Sequence, residues 1–145
     1  MMNKENIINI CIVEDDRNML QSIKDMLDSH QDFECCAAFE SFLPALDYIK
    51  NNEQLDVVLL DIGLPDVDGL KGLEMIKTVR PLVDVIMFSV FDDEDKVFQA
   101  LRLGASGYLL KGESQSRILQ YIQDVVNGGA VFSPSIAAKV LSFFK

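Results

Sequence analysis

Carboxylates, an ammonium group and a hydroxyl each follow directly on an apolar run of strand length in this sequence. Glu14 and Asp15 follow the first run, Asp61 the third, Ser89 the fourth and Lys111 the fifth. Together they offer a carboxylate nucleophile, oxygen ligands for a hard divalent cation, a compact positive charge and a hydroxyl donor. Phosphoryl transfer needs these groups, because its catalysis consists of positioning and of neutralising charge on the phosphoryl oxygens.

Each of these residues also has an ordinary structural interpretation. Asp15 or Asp16 could cap the helix that follows, and a lone serine or lysine carries almost no information. Asp66 and Asp68 fit turn positions better than ligand positions. The functional interpretation therefore depends on these groups standing together at the ends of four strands, in one chain order.

Five apolar runs of strand length alternate with helical patterns along the chain. The runs occupy residues 7–13, 33–39, 57–60, 83–88 and 107–110. Apolar residues recur at helical spacing after each run, as Ile118, Ile122 and Val125 do after the fifth. Runs that are apolar on both faces, joined by helical crossovers, predict a doubly wound α/β fold with a five-stranded parallel sheet and helices on both faces.

The end of the chain departs from this alternation. The pattern stops at residues 130–134, and a further helix is predicted from Ser133 as N-cap and Pro134 as first helical residue. We therefore predict a folded domain over 1–128, and a linker with the start of a further helix over 129–145. Ser41 is likewise predicted to be the N-cap of the second helix.

The order of the strands decides whether the acidic residues meet. Ligands of an open parallel sheet bind outside the carboxyl ends of its strands, and two strand orders are common. In the flavodoxin-like order 2-1-3-4-5 the first and third strands are neighbours, so Glu14, Asp15 and Asp61 converge. Close carboxylates raise one another's pKa, and a divalent cation relieves their repulsion. Ligands that are all oxygen suit Mg²⁺.

Composition limits the remaining classes of function. The chain has 145 residues and a net charge of −10, so it fits one domain, and its acidic surface disfavours direct binding of nucleic acid. The three cysteines lack metal-ligand spacing, which predicts reduced, buried thiols. No apolar run reaches the length of about 18 residues that indicates a membrane span. We expect a cytoplasmic protein that does not associate with a membrane.

With these features the sequence resembles the receiver domains of two-component response regulators over about residues 7–128. The acidic pair lies within 12–16, segment 61–69 is similar to the phosphoacceptor loop, and 105–111 resembles the signature of the fifth strand. Gly112 stands where many receivers have proline. Receivers of the LuxR-type (NarL-like) transcription factors often lack that proline, and the tail is similar to their linker helix.

The resemblance implies a set of metal ligands and a phosphoacceptor. Asp61 would accept a phosphoryl group from a sensor histidine kinase and would also bind Mg²⁺. Glu14 and Asp15 would place the metal, with Asp15 the more direct ligand, and Gly63 would contribute its backbone carbonyl.

The resemblance also implies how a signal would leave the site. Lys111 would hold the phosphoryl oxygens, and Ser89 and Tyr108 would be the switch pair. Such a protein is not an enzyme, although it assists its own phosphorylation and dephosphorylation. Its output would be transcription through a DNA-binding domain that this chain lacks, and the resemblance leaves a homodimer open.

Three other classes of protein share parts of this pattern. A phosphatase of the haloacid-dehalogenase type needs a second aspartate two residues after the nucleophile, where this chain has Gly63. A flavin-binding domain needs hydrogen-bond donors after the first strand, where Glu14 and Asp15 would repel a phosphate. A phosphorylation-independent interaction module is disfavoured by the intact acidic set and by Lys111, and a labelling test separates it from a receiver.

Overall fold

The computed structural model of the chain describes residues 7–144, in which strands and helices alternate. The strands are β1 (Ile8–Val13), β2 (Phe33–Phe39), β3 (Val57–Leu60), β4 (Asp84–Ser89), β5 (Gly107–Leu110) and β6 (Val131–Phe132). The helices are α1 (Arg17–Asp28), α2 (Phe42–Asn51), α3 (Gly69–Val79), α4 (Glu94–Arg102), α5 (Gln115–Val126) and α6 (Pro134–Ser142). The predicted alternation is confirmed over the first five pairs.

The strands form a single parallel sheet in the order β2-β1-β3-β4-β5-β6. The order of the first five is the flavodoxin-like one, with β1 and β3 as neighbours. The prediction of five strands was wrong, because β6 adds a sixth beside β5. A strand of two residues is too short to leave a hydrophobic period in the sequence.

A glycine in β5 makes room for this sixth strand. Gly107 pairs with Val131, and a Cβ built on Gly107 would lie 2.5 Å from Cγ2 of Val131 and 2.6 Å from its carbonyl oxygen. Only a residue without a side chain allows this approach. The predicted domain boundary at residue 128 stays a prediction, but the sheet itself extends beyond it.

Two hydrophobic layers cover the sheet. Side chains of α1 and α5 pack with one set of strand residues, among them Ile10 and Leu109. Side chains of α2, α3, α4 and α6 pack with the opposite set, among them Val58 and Tyr108. Helices on both faces explain why the central strands are apolar on both sides. None of the helices within residues 7–144 is both long and apolar enough to cross a lipid bilayer.

Two serines stand at predicted N-cap positions without capping through their side chains. Ser41 precedes α2, but within the described residues its hydroxyl makes no capping bond. The carboxylate of Asp66 accepts hydrogen bonds from the backbone N–H groups of Phe42 and Leu43 instead, at 2.8 and 2.9 Å. Ser133 precedes α6, and its buried hydroxyl accepts a hydrogen bond from the N–H of Leu110, 2.9 Å away.

Candidate acidic pocket at the carboxyl edge of the sheet

The backbone places two of the acidic residues side by side. Asp61 follows β3, and its N–H donates to the carbonyl of Val13 in β1 at 3.0 Å. Glu14 follows β1, and its N–H donates to the carbonyl of Phe39 in β2 at 2.9 Å. The backbone of both residues therefore continues the hydrogen bonding of the sheet, which fixes their position at its carboxyl edge.

The loop after Asp61 folds back onto its own start. The N–H of Gly69 donates to the carbonyl of Ile62 at 2.8 Å. A Cβ built on Gly69 would lie 2.3 Å from the carbonyl oxygen of Asp61 and 2.5 Å from Cα of Ile62. The first residue of α3 must therefore be glycine for α3 to begin against the backbone of Asp61.

Three carboxylates converge as predicted from the strand order. Glu14, Asp15 and Asp61 each offer an oxygen within 4.8 Å of the others. Glu14 and Asp61 are buried, whereas Asp15 is exposed. One oxygen of Glu14 accepts a hydrogen bond from the N–H of Asp16 at 3.1 Å, whereas no hydrogen bond from residues 7–144 reaches the other, Oε1.

Lys111 supplies the positive charge of the pocket. Its Nζ lies 2.5 Å from Oε1 of Glu14 and 3.4 Å from Oδ2 of Asp61. The contact with Glu14 is a close ion pair, although its angles are not those of a hydrogen bond. The N–H of Lys111 donates to the carbonyl of Ser89 at 3.0 Å, which fixes the end of β5 against β4.

Burial and charge act on this ion pair in opposite directions. Burial raises the pKa of Glu14 to about 7, because the Lys111 ammonium and the N–H of Asp16 only partly offset the loss of water. The pKa of Lys111 is lowered by burial but raised more by Glu14 and Asp61, so its net change is upward. Lys111 keeps some contact with solvent, whereas Glu14 has almost none.

The chemistry of these donors fits Mg²⁺. The ligand oxygens belong to carboxylates on neighbouring loops, which is the set that this hard cation prefers. Among residues 7–144 only the flexible Lys111 side chain reaches the buried Oε1 atom of Glu14, so this atom would gain most from a fixed cation. Glu14, Asp15 and Asp61 are thus the residues that would hold it.

The predicted switch pair lies on the two strands next to Lys111, with Ser89 at the end of β4 and Tyr108 in β5. Ser89 and Tyr108 are both fully buried. The hydroxyl of Ser89 accepts a hydrogen bond from the N–H of Phe91 at 2.9 Å, and the hydroxyl of Tyr108 donates to the carbonyl of Phe91 at 2.6 Å. Sequence reasoning missed the backbone of Phe91, which connects the two hydroxyls. Every residue has these backbone groups, so the sequence contains no signal that predicts such a contact.

Gly63 lies beside the candidate phosphoacceptor. Its N–H donates to Oδ1 of Asp61 at 3.2 Å. The role of its carbonyl as a metal ligand stays a prediction. Asp66 and Asp68 lie outside the carboxylate trio, and both cap helices: Asp68 accepts from the N–H of Leu70 at the start of α3. Their interpretation as local structural residues agrees with these contacts.

The doubly wound sheet with an acidic pocket and a lysine at its carboxyl edge belongs to the flavodoxin-like class of α/β domains. Residues 10–123 match the model of the response regulator receiver domain. The chain therefore belongs to the response regulator receiver family, as the resemblance implied. Members of this family are signalling proteins.

The curated relatives are named as transcriptional regulators. The chain is 32% identical over 139 residues to the transcriptional regulatory protein LnrK of Bacillus subtilis (strain 168), covering 96% of this chain and 63% of that protein. It is 30% identical over 141 residues to DegU of Brevibacillus brevis, covering 97% of this chain and 59% of that protein. The chain thus spans about three fifths of the length of these relatives.

Solved structures share the fold. A LuxR-family response regulator from Aurantimonas sp. SI85-9A1 superimposes with a TM-score of 0.88 at 20% identity, covering 95% of this chain and 98% of that one. A CheY-like receiver domain protein from Methanospirillum hungatei JF-1 gives a TM-score of 0.78 at 28% identity, covering 83% and 94%.

Proposed function

We propose that this chain is a phosphoacceptor switch in which Asp61 receives a phosphoryl group from a sensor histidine kinase. The observation that carries the proposal is the position of Asp61 Oδ2, 3.4 Å from the Lys111 ammonium and beside the carboxylates of Glu14 and Asp15. A nucleophile, a cation and a set of metal ligands meet there at the edge of the sheet where ligands bind.

The transfer would exchange one bond at phosphorus for another. An oxygen of Asp61 forms a bond to phosphorus as the bond from phosphorus to the imidazole nitrogen of the kinase breaks, and that nitrogen keeps the electron pair. Mg²⁺ held by Glu14, Asp15 and Asp61, with the carbonyl of Gly63 as a further candidate ligand, would neutralise charge on the phosphoryl oxygens.

Lys111 would have to exchange partners during this reaction. Its ammonium contacts both Glu14 and Asp61 in the unmodified chain. A phosphoryl group on Asp61 brings further negative charge close to Nζ, so we expect Lys111 to leave Glu14 and bind a phosphoryl oxygen.

Ser89 and Tyr108 would pass the change to the rest of the domain. When the Ser89 hydroxyl turns to donate to a phosphoryl oxygen, it no longer accepts from the N–H of Phe91. Tyr108 is already fully buried and its hydroxyl already donates to the carbonyl of Phe91, so the change expected of it is one of hydrogen-bond partner. Phosphorylation would act by favouring one of two existing states of this segment.

The output and location follow from the family and belong to the same proposal. We infer that the chain regulates transcription through a DNA-binding domain outside residues 1–145, because the curated relatives are named as transcriptional regulators. We expect the chain to act in the cytoplasm and without binding nucleic acid itself. A solved structure of RcsB contains dimers bound to DNA, and we include a homodimer as the form in which this chain would act.

Labelling with a small phosphodonor tests the proposal. We expect acetyl phosphate to modify the wild-type chain only with Mg²⁺ present, and Asp61→Asn to abolish the modification. Asp47→Asn is the matched control, since Asp47 lies exposed on α2, away from the pocket. Equal labelling of the Asp61→Asn variant would contradict the role of Asp61, and no labelling of the wild type would favour a phosphorylation-independent interaction module.

A further inference from the structure

The first residues of the C-terminal helix are attached to β5. The N–H of Ser133 donates to the carbonyl of Tyr108 at 3.2 Å, and the Ser133 hydroxyl accepts from the N–H of Leu110 at 2.9 Å. Ile136 is fully buried in the same core as Tyr108. The beginning of α6 is therefore fixed to the strand that carries Tyr108 and Lys111.

The far end of α6 rests on a different element. The ring of Phe143, just after α6, packs on the ring of Phe98 in α4 with centroids 4.2 Å apart. Phe143 remains 64% exposed, and within residues 7–144 no hydrogen bond joins α6 to α4, in contrast to the anchor at Ser133. The helix thus bridges a fixed strand and α4.

The start of α4 is connected to the acidic pocket. Phe91, whose backbone bonds both Ser89 and Tyr108, lies only three positions before Glu94, the first residue of α4. Asp93 is the N-cap residue of α4, yet within residues 7–144 its side chain makes no capping bond. The two hydrogen bonds of the Phe91 backbone therefore connect this end of α4 to Ser89 and Tyr108.

We propose that the contact between α4 and α6 is the joint that phosphorylation opens, so that the C-terminal half of α6 is released. This inference rests on the proposed function of Asp61. Turning of the Ser89 hydroxyl removes one restraint on Phe91 and lets α4 shift. Since β5 holds Ser133 in place, α6 cannot follow α4 as a whole. The displacement then falls on the weaker contact, between Phe98 and Phe143.

Hydrogen exchange measured with and without a phosphoryl mimic tests this directly. The full chain is incubated with Mg²⁺ and beryllofluoride, and binding is followed separately by fluorine NMR, with Asp61→Asn as the non-binding control. We expect amides of 138–144 to exchange on the order of fivefold faster in the bound chain, as for a modest coupling between two sites. Amides of 131–133 should keep their protection.

The outcomes separate this inference from the function on which it rests. Binding without faster exchange at 138–144 would overturn the inference and leave the role of Asp61 intact. Absence of binding to the wild-type chain would overturn both.

A variant provides a second readout through reciprocity. Coupling between two sites is reciprocal. If binding of the mimic favours opening of the contact between α4 and α6, a substitution that weakens this contact must tighten binding of the mimic. Phe143→Ala should therefore bind beryllofluoride several-fold more tightly than the wild type. Leu82→Ala is the control, because Leu82 is 94% exposed between α3 and β4. Equal affinity of the Phe143→Ala variant and the wild type would count against the joint.

Discussion

At the scale of single residues, the pocket concentrates charges that would be more stable in water. Glu14 is almost fully buried beside Asp61, and its partner Lys111 only partly offsets the loss of water. The proposed role explains why a carboxylate stands at a position so unfavourable for one. Burial of these charges lowers the stability of the metal-free chain, and a bound cation would offset that cost.

The pH dependence of stability should report this cost. Because the pKa of Glu14 is raised from 4.5 to about 7 on folding, its contribution to stability is fully present below pH 4.5 and is lost as the pH rises through 7. Glu14→Gln, which mimics the protonated form, should be more stable than the metal-free wild type at pH 8 by about 3 kcal/mol. Below pH 5 the difference should shrink towards zero.

Chemical denaturation of both proteins across this pH range is the measurement. Groups away from the pocket titrate alike in both proteins, so the difference between their free energies of unfolding reports Glu14 together with its contacts to Lys111 and Asp61. A difference that stays constant from pH 5 to pH 8 would contradict the raised pKa.

Gly69 tests how closely the loop after β3 must pack. Gly69→Ala places a methyl group against the backbone of Asp61 and Ile62, which cannot move without disturbing β3. We expect a loss of about 2–4 kcal/mol of unfolding free energy and slower labelling of Asp61.

The matched control for this change is Gly112→Ala. A Cβ built on Gly112 has no described atom within 4 Å, so that variant should differ from the wild type by less than about 0.5 kcal/mol. Equal effects of the two substitutions would show that the close approach at Gly69 is not what positions the loop.

At the scale of elements, sequence patterns located helices better than they located the contacts that hold them. Helix α2 begins next to the residue chosen as its N-cap, Ser41, because the apolar period identifies the helix. Its capping group is Asp66, 24 residues further along the chain than Phe42. A cap supplied by a distant loop leaves no local signal, so local spacing favoured the serine.

Capping variants distinguish these two residues. Asp66→Ala removes both acceptors of the first N–H groups of α2 and should lower the unfolding free energy by about 1–2 kcal/mol. Ser41→Ala should change it by less than about 0.5 kcal/mol. Thermal or denaturant unfolding of both variants checks this, and a larger loss in Ser41→Ala would restore the cap predicted from the sequence.

The sixth strand shows a similar limit. Residues 130–134 interrupt the alternation, and two residues cannot display a period. The structural reason for β6 lies in Gly107, whose missing side chain admits Val131. A glycine within a strand can indicate close backbone approach, but the sequence does not say which segment approaches.

At the scale of the whole molecule, the site depends on strand order. The residues at strand ends could be chosen from the sequence because apolar runs end sharply before Glu14, Asp61 and Lys111. Their convergence required the order that places β1 beside β3, which the residues left open and the family resemblance supplied. The sequence could not show whether Lys111 lies closer to Glu14 or to Asp61. The structure shows that its Nζ atom is closer to Glu14.

Mg²⁺ should stabilise the whole domain through the three carboxylates. Binding to the folded chain alone raises the unfolding free energy by RT ln(1 + [Mg²⁺]/Kd). We expect this gain in the wild type and its reduction in Asp15→Asn, where one exposed ligand becomes neutral. Denaturation at constant ionic strength, with Na⁺ replacing Mg²⁺ as control, measures it. The same gain in both proteins would place the metal elsewhere.

The position of the phosphoryl group in the labelled wild-type chain tests the central claim most directly. After reaction with acetyl phosphate and Mg²⁺, the acyl phosphate is reduced with borohydride and the modified residue is mapped by tandem mass spectrometry. We expect the modification at Asp61. Modification at another carboxylate, with Asp61 unchanged, would contradict the assignment of this pocket.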